Sequence, residues 1–587
     1  MPPRYAREAR LKRVAMTAVE TSQLATSCPP EPSIALSRAW LTEFEQRNGR
    51  PLRVLHIGNI ANNAYNNAKI QRARGIDADV LSFDYYHIMA TPEWEDAPFI
   101  GDPGDDYFPD WWSVELKGFR RPDWFVAGPL DPAIRYLLAK TSGSRATPWL
   151  WRWLSFERWI LCRRSRLARI VKAVITAICG HAVAYPMTPA SGLLLTRIGT
   201  ACESMAGRSL LERTGAGRAL ARWGARMRRF GRTANLGADQ TRHLRLAHRN
   251  LADIRTRAAR LFAEIGRDNP PVEMDWFYRW WWHPYMSLLL RRYDVVQGYA
   301  TYTALPFIAG RIPYAAYEHG TIRSIPFQPT GEGRMCMATY RGAAHVFVTN
   351  LDNLASAAAM GIDAARVTAL PHAFDSGKLF RFATDNAAVV PPLEGPVVLL
   401  GPARQHWVDQ NPGWAKGNDR LFSALRLVKD AGQTCLLRAV AWGNDLEDSR
   451  RRIAELGIGE MVEWVPVMSK RDLWTAYLGS HAVVDQFLVA GFSGVTFETM
   501  ALGRRLLTHL DTALAATFFG EAPPLHCCSE PEQIATALLD IIADRNDCRR
   551  IGSANRTWIE RYHSADRIVG LQVEAYAQLV REHTGKL

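Results

Sequence analysis

Cysteine is scarce and unpatterned in this chain of 587 residues: there are nine, an odd number, with no Cys-x-x-Cys pair. That argues against a disulfide framework and for reduced thiols in a cytoplasmic protein. No cluster of His, Cys and carboxylates has metal-ligand spacing, so no metal site is expected. A complete Gly-x-Gly-x-x-Gly is missing, which removes the dinucleotide fingerprint. Nor does an apolar run approach the roughly 20 residues that cross a bilayer. The nearest candidate, 173–187, contains His181 and reads as a packed or interfacial segment. The opening MPPRYAREARLKRVAMTAVETSQLATSCPPEPS is basic without an apolar core of signal-peptide length, so a tail and no secretory signal are expected there. Repeats are absent, and low complexity is confined to alanine-rich helices.

What is present is concentrated in DQFLVAGFSGVTFETMALGRRLLTH, residues 485–509. It reads as a strand end, a glycine turn and a helix N-terminus. Gly491, Ser493 and Gly494 let backbone N–H groups come close to an anion, and the helix adds its positive end, a pattern suited to a diphosphate. Glu498 follows about one turn into the helix, placed to accept hydrogen bonds from ribose hydroxyls. Upstream, GPVVLLGPARQHWVDQNPGWAKGNDRLFSALRLVKDAG gives a strand at 397–400, a loop at 402–414 and a helix capped by Asn418 or Asp419 and ending near Gly432. Arg404 and Lys416 flank that loop. Further strand-like runs at 435–441, 461–467, 482–487, 506–509 and 525–528 alternate with helical patterns, which predicts a parallel sheet covered on both faces.

These residues resemble the donor motif of GT-B glycosyltransferases of the family 4 type, which reads Glu-Gly-Phe-Gly, four residues, Glu-Ala-Met-Ala-Cys-Gly. Gly491, Phe492, Glu498, Met500, Ala501 and Gly503 stand at matching places; Ala490 replaces the first glutamate and Ser493 the second glycine. The resemblance implies an α/β fold of two Rossmann-like domains and a nucleotide-sugar donor, a UDP- or GDP-sugar, with no further cofactor. It implies that Arg404 and Lys416 grip the donor phosphates, that Glu498 holds the ribose, and that basic groups and a helix dipole replace a divalent cation.

The first half opens with PLRVLHIGNIANNAYNNAKIQRARGIDADVLSFD, a βαβ unit with a strand at 54–57, a turn at 58–62, a helix at 66–74 and a strand at 78–82. Gly58 and Asn59 in that turn are candidate donor-side contacts. Strands resume at 294–297, 313–317, 345–349 and 367–370. The segment Glu318-His319-Gly320 resembles the family's His-Gly pair, whose histidine faces the donor sugar. Pro371-His-Ala-Phe-Asp375 resembles the segment before the family's interdomain linker, placed here at 376–395.

At 587 residues the chain exceeds the roughly 350–400 expected of two such domains, from a prior of about 100–200 per domain. The surplus is assigned to a helical basic insertion at 93–281, where strand-like alternation fades. From Trp151 to Arg267 about 23 Lys and Arg face about 6 Asp and Glu, a balance near +17 against +14 for the whole chain. Tryptophans 149, 151, 153 and 159 interleave with arginine, a composition suited to an anionic membrane surface. Nucleic acid is an unlikely partner because no recognition module accompanies the charge.

The expected organisation is therefore a tail (1–50), an acceptor-side domain (51–380) carrying the insertion, a donor-binding domain (395–564) and a helix (565–587) returning to the first domain. The expected activity is retaining sugar transfer to a glycan or lipid-linked acceptor, at the inner face of the plasma membrane. The alternatives are a non-catalytic scaffold of the same fold in a glycan-assembly complex, and a nucleotide-sugar epimerase.

Overall fold

Short apolar strands dictate the architecture. In the computed structural model, which describes residues 32–162, 285–310, 313–410 and 415–584 with a few isolated positions between 253 and 263, these strands form two sheets. The first comprises β1 (Arg53–Ile57), β2 (Asp77–Ser82), β3 (Phe125–Ala127), β4 (Val295–Tyr299), β5 (Tyr314–Tyr317), β6 (His345–Val348) and β7 (Val367–Ala369), in the order β3-β2-β1-β4-β5-β6-β7. The second comprises β8 (Val397–Gly401), β9 (Cys435–Val440), β10 (Val462–Val465), β11 (Ala482–Val484), β12 (Arg505–Thr508) and β13 (His526–Cys527), in the order β10-β9-β8-β11-β12-β13. Pairs such as β1/β2, β1/β4, β8/β9 and β8/β11 are parallel. Continuous burial along β4, β8 and β12 is what helices on both faces require. These are two Rossmann-like α/β sheets.

The helices that matter below are α1 (Asn63–Arg72), α2 (Leu130–Thr141), α3 (Thr147–Cys162), α4 (Ser376–Asp385), α5 (Asn418–Asp430), α6 (Lys470–Leu478), α7 (Gly494–Ala501), α8 (Asp547–Tyr562) and α9 (Ala565–Thr584). By packing, the chain divides into two compact units. One is Leu41–Tyr317 with Ser324–His345 and Tyr576–Leu587; the other is Met1–Trp40 with Glu318–Arg323 and Val346–Ala575.

In the first unit a buried polar chain fixes β1 to its neighbours. The imidazole of His56 bonds the Tyr299 hydroxyl and the Gln71 side chain, both at 2.9 Å. Gln71 donates to Tyr576 of α9 at 3.1 Å, and Tyr576 donates to Gln297 at 2.7 Å. Burial lowers the His56 pKa to about 4, so the ring is neutral and serves as a hydrogen-bonding strut. In the second unit Val397, Leu399, Phe422, Leu425, Leu437, Val484 and Ile534 belong to one core in which α5 packs beneath β8, β9 and β11.

Three expectations need correction. The span 93–281 is not wholly an insertion, because β3 lies inside it and pairs with β2 through Val80↔Phe125 and Leu81↔Val126. Three residues are too short for alternation to show. The span 376–395 begins with a helix, α4, capped by Asp375, whose carboxylate accepts from the Lys378 N–H at 3.0 Å. The helix in the first βαβ unit starts at Asn63, because Asn62 takes a left-handed cap conformation with φ 57°. Most of the basic stretch, including Arg163, Arg164, Arg166 and Arg169, lies outside the described residues, as do 1–31 of the tail. Among the described residues no helix is long and apolar enough to cross a membrane.

Candidate functional site

The order of the second sheet reverses between β8 and β11, which lie side by side although 80 residues of chain separate them. Loops leaving the carboxyl ends of two such strands diverge and open a crevice, the place where sheets of this kind take ligands. Arg404 leaves the end of β8, and residues 485–494 leave the end of β11.

Lys416 is fixed at this crevice by its backbone. Its N–H donates to His406 O and its carbonyl accepts from the Phe487 N–H, each at 2.7 Å. Gly417 permits the approach: its φ is +72°, and a Cβ there would stand 2.9 Å from Leu488 N. The Lys416 ammonium donates to Gln486 Oε1 at 2.6 Å, and Gln486 Nε2 donates to Gly491 O at 2.8 Å. Lysine, glutamine and glycine turn are thereby one connected unit. Burial lowers the Lys416 pKa; the carboxylate of Asp485 opposes that shift and the Arg404 guanidinium adds to it. Arg404 itself makes no hydrogen bond or ion pair among the described residues. Two neighbouring cations, one desolvated, favour an anion between them.

Ser493, standing where the family motif has glycine, caps α7. Its Oγ accepts from the Thr496 N–H at 3.2 Å, while its own N–H donates to Thr496 Oγ1 at 3.1 Å. The same hydroxyl donates to the buried Asp485, whose pKa is raised by burial. The Gly491 N–H is also committed, to His509 O at 3.2 Å. The cradle expected from 491–494 is therefore narrower: the N–H groups of Gly491 and Ser493 hold the turn, and those of Gly494 and Val495 begin the helix, where no intrahelical acceptor exists. A Cβ on Gly491 or Gly494 would meet nothing within 4 Å, so the space beside them is open. Phe492 turns into the fold, stacking on Phe497 with centroids 5.3 Å apart.

Glu498 is 7% exposed and pairs with Lys470 at the start of α6, Nζ to Oε1 2.6 Å. Lys470 carries no sequence signal, since it comes from a separate helix with an ordinary serine cap, Ser469.

His319 follows β5, and the turn holding it is built on the neighbouring glutamate. Glu318 is fully buried; Oε1 accepts from the N–H groups of Thr349 at 2.8 Å and Asn350 at 2.7 Å, and Oε2 accepts from the Gly320 N–H at 2.7 Å and from Asn353 Nδ2. The His319 ring stands perpendicular to His372, centroids 5.8 Å apart, and His372 lies 5.5 Å from Phe497 of α7. His563 Nδ1 is 3.3 Å from His372 O. Burial lowers all three imidazole pKa values, that of His563 to about 3. The fold thus brings neutral His319 into one cluster with the helix bearing Glu498. His372 stands in the segment already matched to the family at 371–375, so its position was legible and its contact was not.

Gly58 and Asn59 belong to the other unit. Gly58 has φ +88°, and a Cβ there would meet the Tyr302 ring at 2.3 Å. Asn59 is fully buried; its amide donates to Asn62 Oδ1 at 3.0 Å and Ala90 O at 2.9 Å, and its Oδ1 accepts from the Tyr65 N–H at 3.0 Å. Asn59 is thus a turn-builder and not a ligand contact, a correction to the expectation from sequence.

No protein-family model matches this chain, and no curated protein matches it by sequence. Solved structures resemble about half of it. The crystal structure of Anabaena Alr3699/HepE in complex with UDP aligns at 15% identity and a TM-score of 0.40, covering 50% of this chain and 80% of its own. Sucrose-phosphate synthase from Thermosynechococcus elongatus aligns at 17% and 0.38, covering 53% and 80%. The lipopolysaccharide outer core galactosyltransferase WaaB aligns at 16% and 0.37, covering 50% and 78%. At such scores the functional argument rests on the side chains above.

Proposed function

We propose that the chain is a GT-B glycosyltransferase of the family 4 type, moving a sugar from a UDP- or GDP-sugar to a glycan or lipid-linked acceptor with retention. The observation carrying this reading is that Arg404, without a partner among the described residues, acts electrostatically on desolvated Lys416 at the carboxyl ends of β8 and β11, the second of which leads into α7. A nucleoside diphosphate gains negative charge as the glycosidic bond breaks, and two preorganised cations with a helix N-terminus stabilise that charge more than the ground state. In this reading they take the place of a divalent cation. Glu498, held in orientation by Lys470, accepts from the ribose hydroxyls. Neutral His319 offers a hydrogen bond to the sugar without attracting the phosphates. The leaving phosphate accepts the acceptor's proton on the front face, so no separate base is needed.

The basic stretch from Trp151 to Arg267 would hold the enzyme on an anionic membrane from the cytoplasmic side. A non-catalytic nucleotide-sugar-binding scaffold is the second reading, favoured by Ala490 in place of the motif's first glutamate. The test is thermal stabilisation across a panel of UDP- and GDP-sugars, followed by assay of nucleoside diphosphate release with the stabilising donor. Stabilisation with no release under any acceptor supports the scaffold; no stabilisation by any nucleotide refutes both.

A further inference from the structure

Within the unit Leu41–Tyr317, β2, β3, the 85–112 segment and α3 line a small cavity that opens to solvent. Arg158 on α3 lines it. Only 9% of this residue is exposed, and its Nε and Nη1 are buried without a hydrogen-bond partner among the described residues. A buried guanidinium left unpaired is costly, so its retention calls for a counter-charge.

None of the described residues that line the cavity is a carboxylate. Glu93 is already taken by Arg121, which lines the same cavity and grips it through two hydrogen bonds of 2.9 and 2.6 Å. Burial pushes the Cys162 thiol up to about 11, so it stays neutral. Burial, with Arg121 nearby, lowers Arg158 to about 9, which leaves it cationic at neutral pH. The lining thus carries two guanidinium groups and no carboxylate; Glu93 is held by Arg121, and the buried Asp110 acts on Cys162.

A second donor is stranded in the same wall. Trp111 is 5% exposed, and its indole Nε1–H is buried without a hydrogen-bond partner among the described residues. Every unsatisfied group here is a donor, so the missing group is an acceptor. At the mouth, Trp112 is 39% exposed and lies under the Arg158 guanidinium, 5.3 Å from its ring centroid. Tyr85 adds another ring to the lining. Such rings offer flat apolar faces to the body of a ligand.

We propose that this cavity binds an oxyanion, the carboxylate or phosphate of a ligand, with Arg158 and Trp111 as its donors and the ligand's body against Trp112 and Tyr85. The site is independent of the nucleotide-sugar reading, because none of its residues belongs to that crevice.

The experiment is thermal unfolding of the full chain at fixed ionic strength with inorganic phosphate, glucuronate or uncharged glucose. One of the two anions is expected to raise Tm by about 2 °C or more while glucose does not. A shift with phosphate alone assigns a phosphate group, and one with glucuronate alone assigns a carboxylate. Arg158→Met is expected to abolish the shift and raise Tm without anion, since an unpaired buried charge is removed. Trp111→Phe, which keeps the ring, is expected to shrink the shift and serves if Arg158→Met does not fold. Lys416→Ala is expected to retain it. No shift in the wild type, a shift persisting in both cavity variants, or one lost only in Lys416→Ala would overturn the proposal.

Discussion

Replacing His563 with phenylalanine should flatten the acid sensitivity of the unit that carries the candidate crevice. The imidazole is fully buried, with its Nε2 unpartnered among the described residues and the rings of Phe497, Phe519 and Trp558 within 5.6 Å of its centroid. Its pKa falls from 6.5 to about 3 on folding, with burial as the main cause. Above pH 6.5 both the folded and unfolded chains keep the ring neutral, so pH has no effect through this group. Between 6.5 and about 3 only the unfolded chain takes the proton, and stability falls as pH falls. The linkage relation gives about 1.4 kcal/mol per pH unit in that window, or about 2 kcal/mol between pH 7 and pH 5. Urea unfolding followed by tryptophan fluorescence measures it, since Trp558 lies beside the ring. His563→Phe is expected to lose about 2 kcal/mol less than the wild type over those two units. Equal losses in both proteins would mean that the ring is already charged or reaches solvent in the folded state, and the argument from burial would fail.

Lys416→Ala and Arg404→Ala should each lower kcat/KM by about 100-fold or more, the scale of a transition-state charge contact; wild-type rates in both would remove the phosphate assignment. Glu498→Gln should weaken nucleoside diphosphate binding about tenfold by calorimetry, and an unchanged Kd would separate Glu498 from the ribose. Gly417→Ala should destabilise by at least about 1 to 2 kcal/mol, because the left-handed conformation alone costs that much and Leu488 N is in the way; an unchanged urea midpoint would refute the stated close approach. Glutamine at Arg163, Arg164, Arg166 and Arg169 together should weaken co-sedimentation with anionic vesicles at low salt, each arginine contributing roughly 1 kcal/mol; equal sedimentation with neutral vesicles would sink the membrane reading.

The parallel strands were legible because apolar runs such as Val397–Leu400 are buried on both faces and carry their own signature. β3 was not, since three residues hold too little pattern and its place is decided by pairing with β2. Arg404, Lys416 and Glu498 were singled out through motif spacing. Lys470 escaped, because an ion pair between two helices leaves no trace in either local sequence. Asn59 misled for a related reason: an asparagine offered to a ligand and one spent on Ala90 O look alike until the chain folds. Arg158 sat in plain view among many arginines, and only its burial separates it from them.

Glu318 behaves as a rivet between two chain segments just where their hydrogen-bonded ladder ends, at the bond from its N–H to Phe347 O. The amide protons of Gly320, Thr349 and Asn350 lie in turns, yet each is bound to one buried carboxylate. Loops beside a ligand crevice ordinarily open first and exchange their amide hydrogens fastest. Here the three can exchange only when the carboxylate lets go, so they should report a single opening event shared by both segments. A turn in this protein is thus tied to the same breathing motion as the strands it follows, and the position of His319 inherits that rigidity.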